Sequence, residues 1–138
     1  MTEALSSNHL KKFLTEGSAV VVFYSPRCPH CVAMYDAIST LNAAQYPIMK
    51  YNVLSLGGQL HDDPVLGANL PRINGFPTIL FIQKNLKQFK EYSGPRSPEA
   101  IAAGFDGFRN TVRGLGGGGS GPLHGFMRQW KEDILMNP

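Results

Sequence analysis

The chain has 138 residues, 43% of them hydrophobic and 17% charged, with a formal net charge of +3 at pH 7. That length suits one domain with its own core plus an appendage, and the composition excludes a disordered chain. The basic residues are scattered rather than clustered, so nucleic acid is not an expected partner. No run approaches the ~18 apolar residues of a membrane span.

Leu5 closes a short edge strand, and Ser6 or Ser7 offers an N-cap to a helix in which Leu10, Phe13 and Leu14 recur at helical spacing. Gly17 stops that helix. Ala19–Tyr24 is an unbroken β-branched and aromatic run, the pattern of a central strand buried on both faces. After Ser25-Pro26-Arg27 a second helix begins near Cys28, with Cys31, Met34, Tyr35, Ile38 and Leu41 on its inner side. Residues 48–54 read as a second buried strand. Residues 55–74, broken by Gly57, Gly58, Pro64, Gly67 and Pro71, read as loop with at most a short helix over 65–70. Within it His61-Asp62-Asp63 reads as a solvated turn.

Thr78–Ile82 is a third strand, Asn85 marks a hairpin turn, and residues 88–92 make a fourth strand. Ser97 caps a last helix that Pro98 opens, and Ile101, Phe105, Phe108 and Val112 form its core-facing stripe. The alternation predicts a mixed central sheet with helices on both faces, closing near residue 113.

The chain's two cysteines form Cys28-Pro29-His30-Cys31. Three residues apart on a helix, their side chains are close enough to bridge, and so short a loop adds little stability. Such a bond suits exchange. Cys28 falls where strand gives way to helix, so its sulfur meets free N–H groups and the positive end of the helix dipole, which favour the thiolate. Arg27 and, when protonated, His30 add cations, and Pro29 fits the first helical turn. Cys28 is therefore the expected nucleophile and Cys31, one turn inward, the resolving thiol. Rival readings are a static disulfide, two inert core cysteines, and half of a zinc site. Zinc needs about four ligands, and His9, His30, His61 and His124 lack paired ligand spacing, so no metal is expected. No cofactor is expected beyond the Cys28–Cys31 disulfide itself.

Phe23-Tyr24-Ser25-Pro26-Arg27-Cys28-Pro29-His30-Cys31 resembles the strand-to-active-site segment of the thioredoxin superfamily, and in particular single catalytic domains of the protein disulfide isomerase family. Gly75-Phe76-Pro77-Thr78-Ile79 is similar to that family's second signature, and Lys90-Glu91-Tyr92-Ser93-Gly94-Pro95-Arg96 to its fourth strand and exit turn. The likeness runs over about residues 3–113. It implies a thioredoxin-like three-layer α/β/α fold, a cis Pro77 beside the cysteine pair, and a Phe76 whose backbone receives an extended substrate peptide. It also implies protein thiols or disulfides as partners. Three positions depart from the family pattern: Val22 replaces a buried acid thought to take the proton of the resolving thiol, Arg27 replaces an aromatic, and Asp36 replaces a helix-kinking proline. The Pro29-His30 pair matches bacterial Dsb-type oxidases, which points to an oxidant or isomerase rather than a reductase.

Residues 114–121 read as a glycine-rich tether, and 122–138 as an amphipathic helical arm in which Leu123, Phe126, Met127, Trp130, Ile134 and Leu135 recur at helical spacing. The arm is read as docking on a protein partner or folding back, or as an engineered linker and peptide, since Gly-Gly-Gly-Gly-Ser is a common fusion scar. The favoured function is a protein thiol–disulfide oxidoreductase. The alternative is an assembly component with a thioredoxin-like body, docked through its arm into a larger complex such as a virus particle. The first residues lack the basic start and apolar run of a secretory signal and the last four are no retention signal, so a cytoplasmic or assembly-associated location is the default expectation.

Overall fold

The computed structural model describes residues 1–115. A two-residue edge strand, β1 (Thr2–Glu3), leads into α1 (Ser7–Glu16), where the Ser6 hydroxyl accepts the His9 backbone N–H at 3.0 Å and Gly17 ends the helix. Then come β2 (Ala19–Tyr24), α2 (Pro29–Ile38), β3 (Ile48–Asn52), α3 (Val53–Asp62) and the short α4 (Leu66–Asn69). The chain finishes with β4 (Thr78–Ile82), a single 3-10 turn, β5 (Phe89–Tyr92) and α5 (Pro98–Leu115). Asn85 turns the hairpin in left-handed backbone, at φ 59°, a region that its short polar side chain tolerates.

The five strands lie in the order β1-β3-β2-β4-β5. β2 pairs with β3 in parallel and with β4 antiparallel, and β4 and β5 form the antiparallel hairpin. Every residue of β2 is buried, because it is central and covered on both faces. Val21 and Phe23 point to one side, among Leu10 and Leu14 of α1, Tyr51 of β3 and Leu60 of α3. Val20, Val22 and Tyr24 point to the other, among Cys31, Met34 and Ile38 of α2 and Ile101, Phe105 and Phe108 of α5. Each large apolar side chain fully buried in these layers contributes roughly 1.5–3 kcal/mol. The α5 stripe read from the sequence lies in the same core cluster as Cys31.

Within residues 55–74 the short helix read over 65–70 stands as α4, but the first part of the stretch departs from its reading as loop. β3 ends at Asn52, and ten residues, Val53–Asp62, are helical. The Asn52 side chain caps the helix by accepting the Ser55 N–H at 3.2 Å, and Tyr51 donates its hydroxyl to the Leu56 carbonyl at 2.8 Å. Gly57 in α3 and Gly67 in α4 allow close approach there instead of breaking the helices. Gly57 is buried, and a Cβ on it would come within 3.2 Å of a Val53 methyl. A Cβ on Gly67 would lie 2.3 Å from the His61 carbonyl oxygen.

Asp63 also corrects the solvated-turn reading. Its side chain is 6% exposed and sits 2.8 Å from the Lys11 ammonium, itself 4% exposed. One of its oxygens accepts the backbone N–H groups of Val65 and Leu66, both at 2.9 Å.

α5 runs on to Leu115, two residues into the stretch read as the start of the tether. The rest of the tether and the arm at 122–138 lie outside the described residues.

Candidate active site

β2 delivers the chain to a tight turn in which buried Ser25 accepts the Cys28 backbone N–H at 3.0 Å on its carbonyl and the Arg27 N–H at 3.3 Å on its hydroxyl. This places Cys28 at the N-cap of α2, in extended backbone, with Pro29 following at the first helical turn, where its missing N–H leaves no partner unmet. The Cys28 sulfur accepts the backbone N–H of Cys31 at 3.3 Å, the part usually played by a capping oxygen. Both residues are free thiols; Cys28 is half-buried and Cys31 fully buried.

The two thiols are driven apart. Cys28 is held below the usual range, first by the hydrogen bond from the Cys31 side chain, then by the backbone N–H groups of Cys31 and His30 and by the charge of Arg96, against an opposing effect of desolvation. Cys31 is pushed up to about 11, chiefly by burial and next by its bond to Cys28. One sulfur is thus prepared as a nucleophile while its partner is kept protonated.

The Phe76–Pro77 peptide is cis, and Pro77 is buried while the Phe76 side chain is 41% exposed. The Phe76 carbonyl lies 3.8 Å from the Cys28 sulfur. The segment leading into β4 therefore brings the Phe76 backbone to Cys28, with the cis Pro77 next in sequence. A groove continues past Pro77 between Thr78, Tyr92, Ser93 and Arg96. Arg27, Pro29 and His30 are exposed around the rim. Besides the Arg27 and His30 read from the sequence, Arg96 adds a positive charge that favours the Cys28 thiolate, and His30 contributes through its backbone N–H. Arg96 lay in the exit turn already noted for its resemblance, but only the folded sheet carries it to the sulfur. Val22 is fully buried in the cluster that holds Cys31. Among the described residues, no group of three or more His, Cys, Asp or Glu side chains could hold a metal ion.

The thioredoxin family matches residues 2–106. The chain belongs to the thioredoxin family. Protein disulfide-isomerase of Medicago sativa is 34% identical over 86 residues, which are 59% of this chain and 16% of that protein. Protein disulfide-isomerase A6 of Mus musculus is 30% identical over 114 residues, 78% of this chain and 23% of that protein. The chain thus spans less than a quarter of the length of these relatives. Among solved structures, Fasciola hepatica thioredoxin aligns with a TM-score of 0.57 at 18% identity, covering 77% of this chain and 97% of that one. That likeness concerns the fold. This thioredoxin-family chain carries its closely spaced Cys28–Cys31 pair at the mouth of α2.

Proposed function

We propose that this domain is a protein thiol–disulfide oxidoreductase that works through Cys28 and Cys31. The observation that carries the reading is the Cys28 sulfur capping α2 above a buried Cys31, with opposite perturbation of the two thiols. In the reducing direction, Cys28 thiolate attacks one sulfur of a substrate disulfide, forming a mixed disulfide and releasing the other sulfur as thiolate. Cys31, once deprotonated, attacks Cys28, closing the Cys28–Cys31 bond and expelling the second substrate thiolate. The domain loses two electrons and the substrate disulfide gains them. Run backwards, the oxidised pair donates its disulfide to two substrate thiols.

Stabilising the Cys28 thiolate stabilises the reduced pair and makes the couple more oxidising. The domain is therefore assigned to disulfide formation or isomerisation. The exposed Phe76 side chain and the groove beyond Pro77 support an extended polypeptide as substrate. The similarity to protein disulfide-isomerases supports an isomerase role.

The test is trapping. Cys31→Ser should accumulate a mixed disulfide between Cys28 and a disulfide-bonded protein substrate, seen as a mass adduct that dithiothreitol removes. Cys28→Ser should abolish both adduct and turnover, and persistence of either would refute the assignment. Equilibration with glutathione tests the direction: a potential near roughly −270 mV, that of reductive thioredoxins, would overturn the oxidising lean.

A further inference from the structure

Beside the cysteine pair the sheet ends in an open groove of about 440 Å³, bounded by residues 77–79 on one side and by the exit turn that ends in Arg96 on the other. Strand register sets its walls. Ile79 lies opposite Tyr92, so the antiparallel ladder, carried on, sets Thr78 beside Ser93. The Phe76 carbonyl is 3.8 Å from the Cys28 sulfur, so the groove begins one residue from the reacting atom. The exit turn is anchored at both ends. The Tyr92 hydroxyl donates to the Pro95 carbonyl, and a Cβ on Gly94 would fall 2.7 Å from that hydroxyl oxygen. Ser97 caps α5 by accepting the Ala100 N–H at 3.2 Å. Arg96 stands between these two fixed residues.

The charge here is unbalanced. Arg96 is exposed, and among the described residues its guanidinium makes no hydrogen bond or ion pair. Ion pairs form elsewhere, at Lys11–Asp63, Lys50–Glu3 and Arg109–Asp106. Glu91 and Glu99 are the acids nearest to Arg96 in sequence. Alternation along β5 turns the Glu91 side chain to the sheet face opposite Tyr92, and Glu99 lies in the first turn of α5. Neither pairs with Arg96. Across the cysteine pair the Arg27 and His30 side chains stand exposed, and they too make no ion pair among the described residues. The positive end of the α5 dipole adds to Arg96. An anion entering the groove therefore meets a guanidinium whose fork of N–H donors is unused.

We propose that Arg96 is a specificity-determining residue, receiving the carboxylate of an Asp or Glu side chain two residues from the reacting cysteine of a polypeptide substrate. The inference rests on the exchange function proposed above and names its preferred substrate class: an extended chain that is acidic beside its cysteine. The spacing follows from backbone dimensions. Phe76 and Thr78 are two residues apart, at most about 7 Å. A peptide extended along them advances about 6–7 Å in two residues and turns alternate side chains to the same face. With the substrate sulfur at Cys28, the side chain two positions away reaches the part of the groove between Thr78 and Arg96. There a carboxylate and the guanidinium can join through parallel N–H···O bonds. A basic side chain in that place meets like charge and is disfavoured.

The test measures how fast the full reduced chain attacks peptides of one sequence whose single cysteine is blocked as a pyridyl disulfide. Glu, Gln or Lys occupies both positions two residues from that cysteine, and release of pyridinethione reports the attack. The parent should attack the Glu peptide roughly three- to fivefold faster than the Gln peptide at low salt, as an exposed ion pair allows. The Lys peptide should be slowest, and added salt should narrow the differences. Arg96→Gln should bring the Glu and Gln peptides within about 1.5-fold of each other, and Arg96→Glu should favour the Lys peptide over the Glu peptide. Each ratio is taken within one variant, so a change in the Cys28 thiolate acts on all peptides alike and cancels. Lys84→Gln removes the same charge beyond the far end of β4 and should keep the parent ratio. A parent ratio preserved in Arg96→Gln, or lost equally in Lys84→Gln, overturns the role of Arg96. Release no faster from the parent than from Cys28→Ser overturns the exchange function itself.

Discussion

Replacing Asp63 by alanine should destabilise the domain by about 3–5 kcal/mol, the usual cost of removing one member of a buried ion pair. The magnitude follows from what this carboxylate holds. It is the counter-charge to Lys11 at 2.8 Å, with the two side chains only 4% and 6% exposed. It also accepts the N–H groups of Val65 and Leu66, which start α4. Each stranded buried N–H costs about 1–3 kcal/mol, so a plain sum exceeds the range given. Water entering the vacated space recovers part of that loss. Asp63→Asn keeps an oxygen for the two N–H groups and loses only the charge, so its destabilisation should fall between the parent and alanine. For a domain whose whole stability is about 5–15 kcal/mol, the alanine variant should unfold at visibly lower urea. Urea unfolding of the reduced chain, followed by circular dichroism, measures both variants. Asp63 packs with α1 and α3, on the opposite face of the sheet from Cys31, so Cys28 alkylation in the folded variants should match the parent. A loss of less than about 1 kcal/mol for Asp63→Ala would refute the buried-pair account.

Two further outcomes follow from the thiols. Cys31 has its proton held up to about 11 in the fold, so the unfolded chain releases that proton first. Stability of the reduced protein should then fall as pH rises from about 9 towards 11, and the Cys31→Ala variant should lack this Cys31 contribution in urea unfolding across that range. The opposite shift of Cys28 gives stability at pH above its lowered range, which is lost as pH falls through it, so the two limbs are separable. Arg96→Gln should move the pH midpoint of Cys28 alkylation upward, and added salt should reduce the difference from the parent, because the Arg96 side chain is exposed. An unchanged midpoint would remove Arg96 from the site.

Much of this architecture is legible from short-range patterns. The unbroken apolar run of β2 announces a strand buried on both faces, and the spacing of Ile101, Phe105, Phe108 and Val112 announces a helix with one core face. The cysteine spacing after a strand places Cys28 at a helix mouth, since helical geometry and the free N–H groups of a first turn are local properties of the chain. The Pro77 cis bond came from resemblance alone, because a lone proline is equally at home at a strand start.

What escaped local reading depends on who meets whom. Gly57 and Gly58 count as breakers until Tyr51 and the core of the first layer supply packing that outweighs their low helix propensity. Asp63 looks like a turn residue until α1 brings Lys11 against it. Arg96 gains its chemistry only when sheet register and the β5–α5 turn set it near groups remote in sequence. Periodicity and capping act within a few residues and so are written into any short window. Charge and burial act through space, and space between distant residues exists only once the sheet has closed.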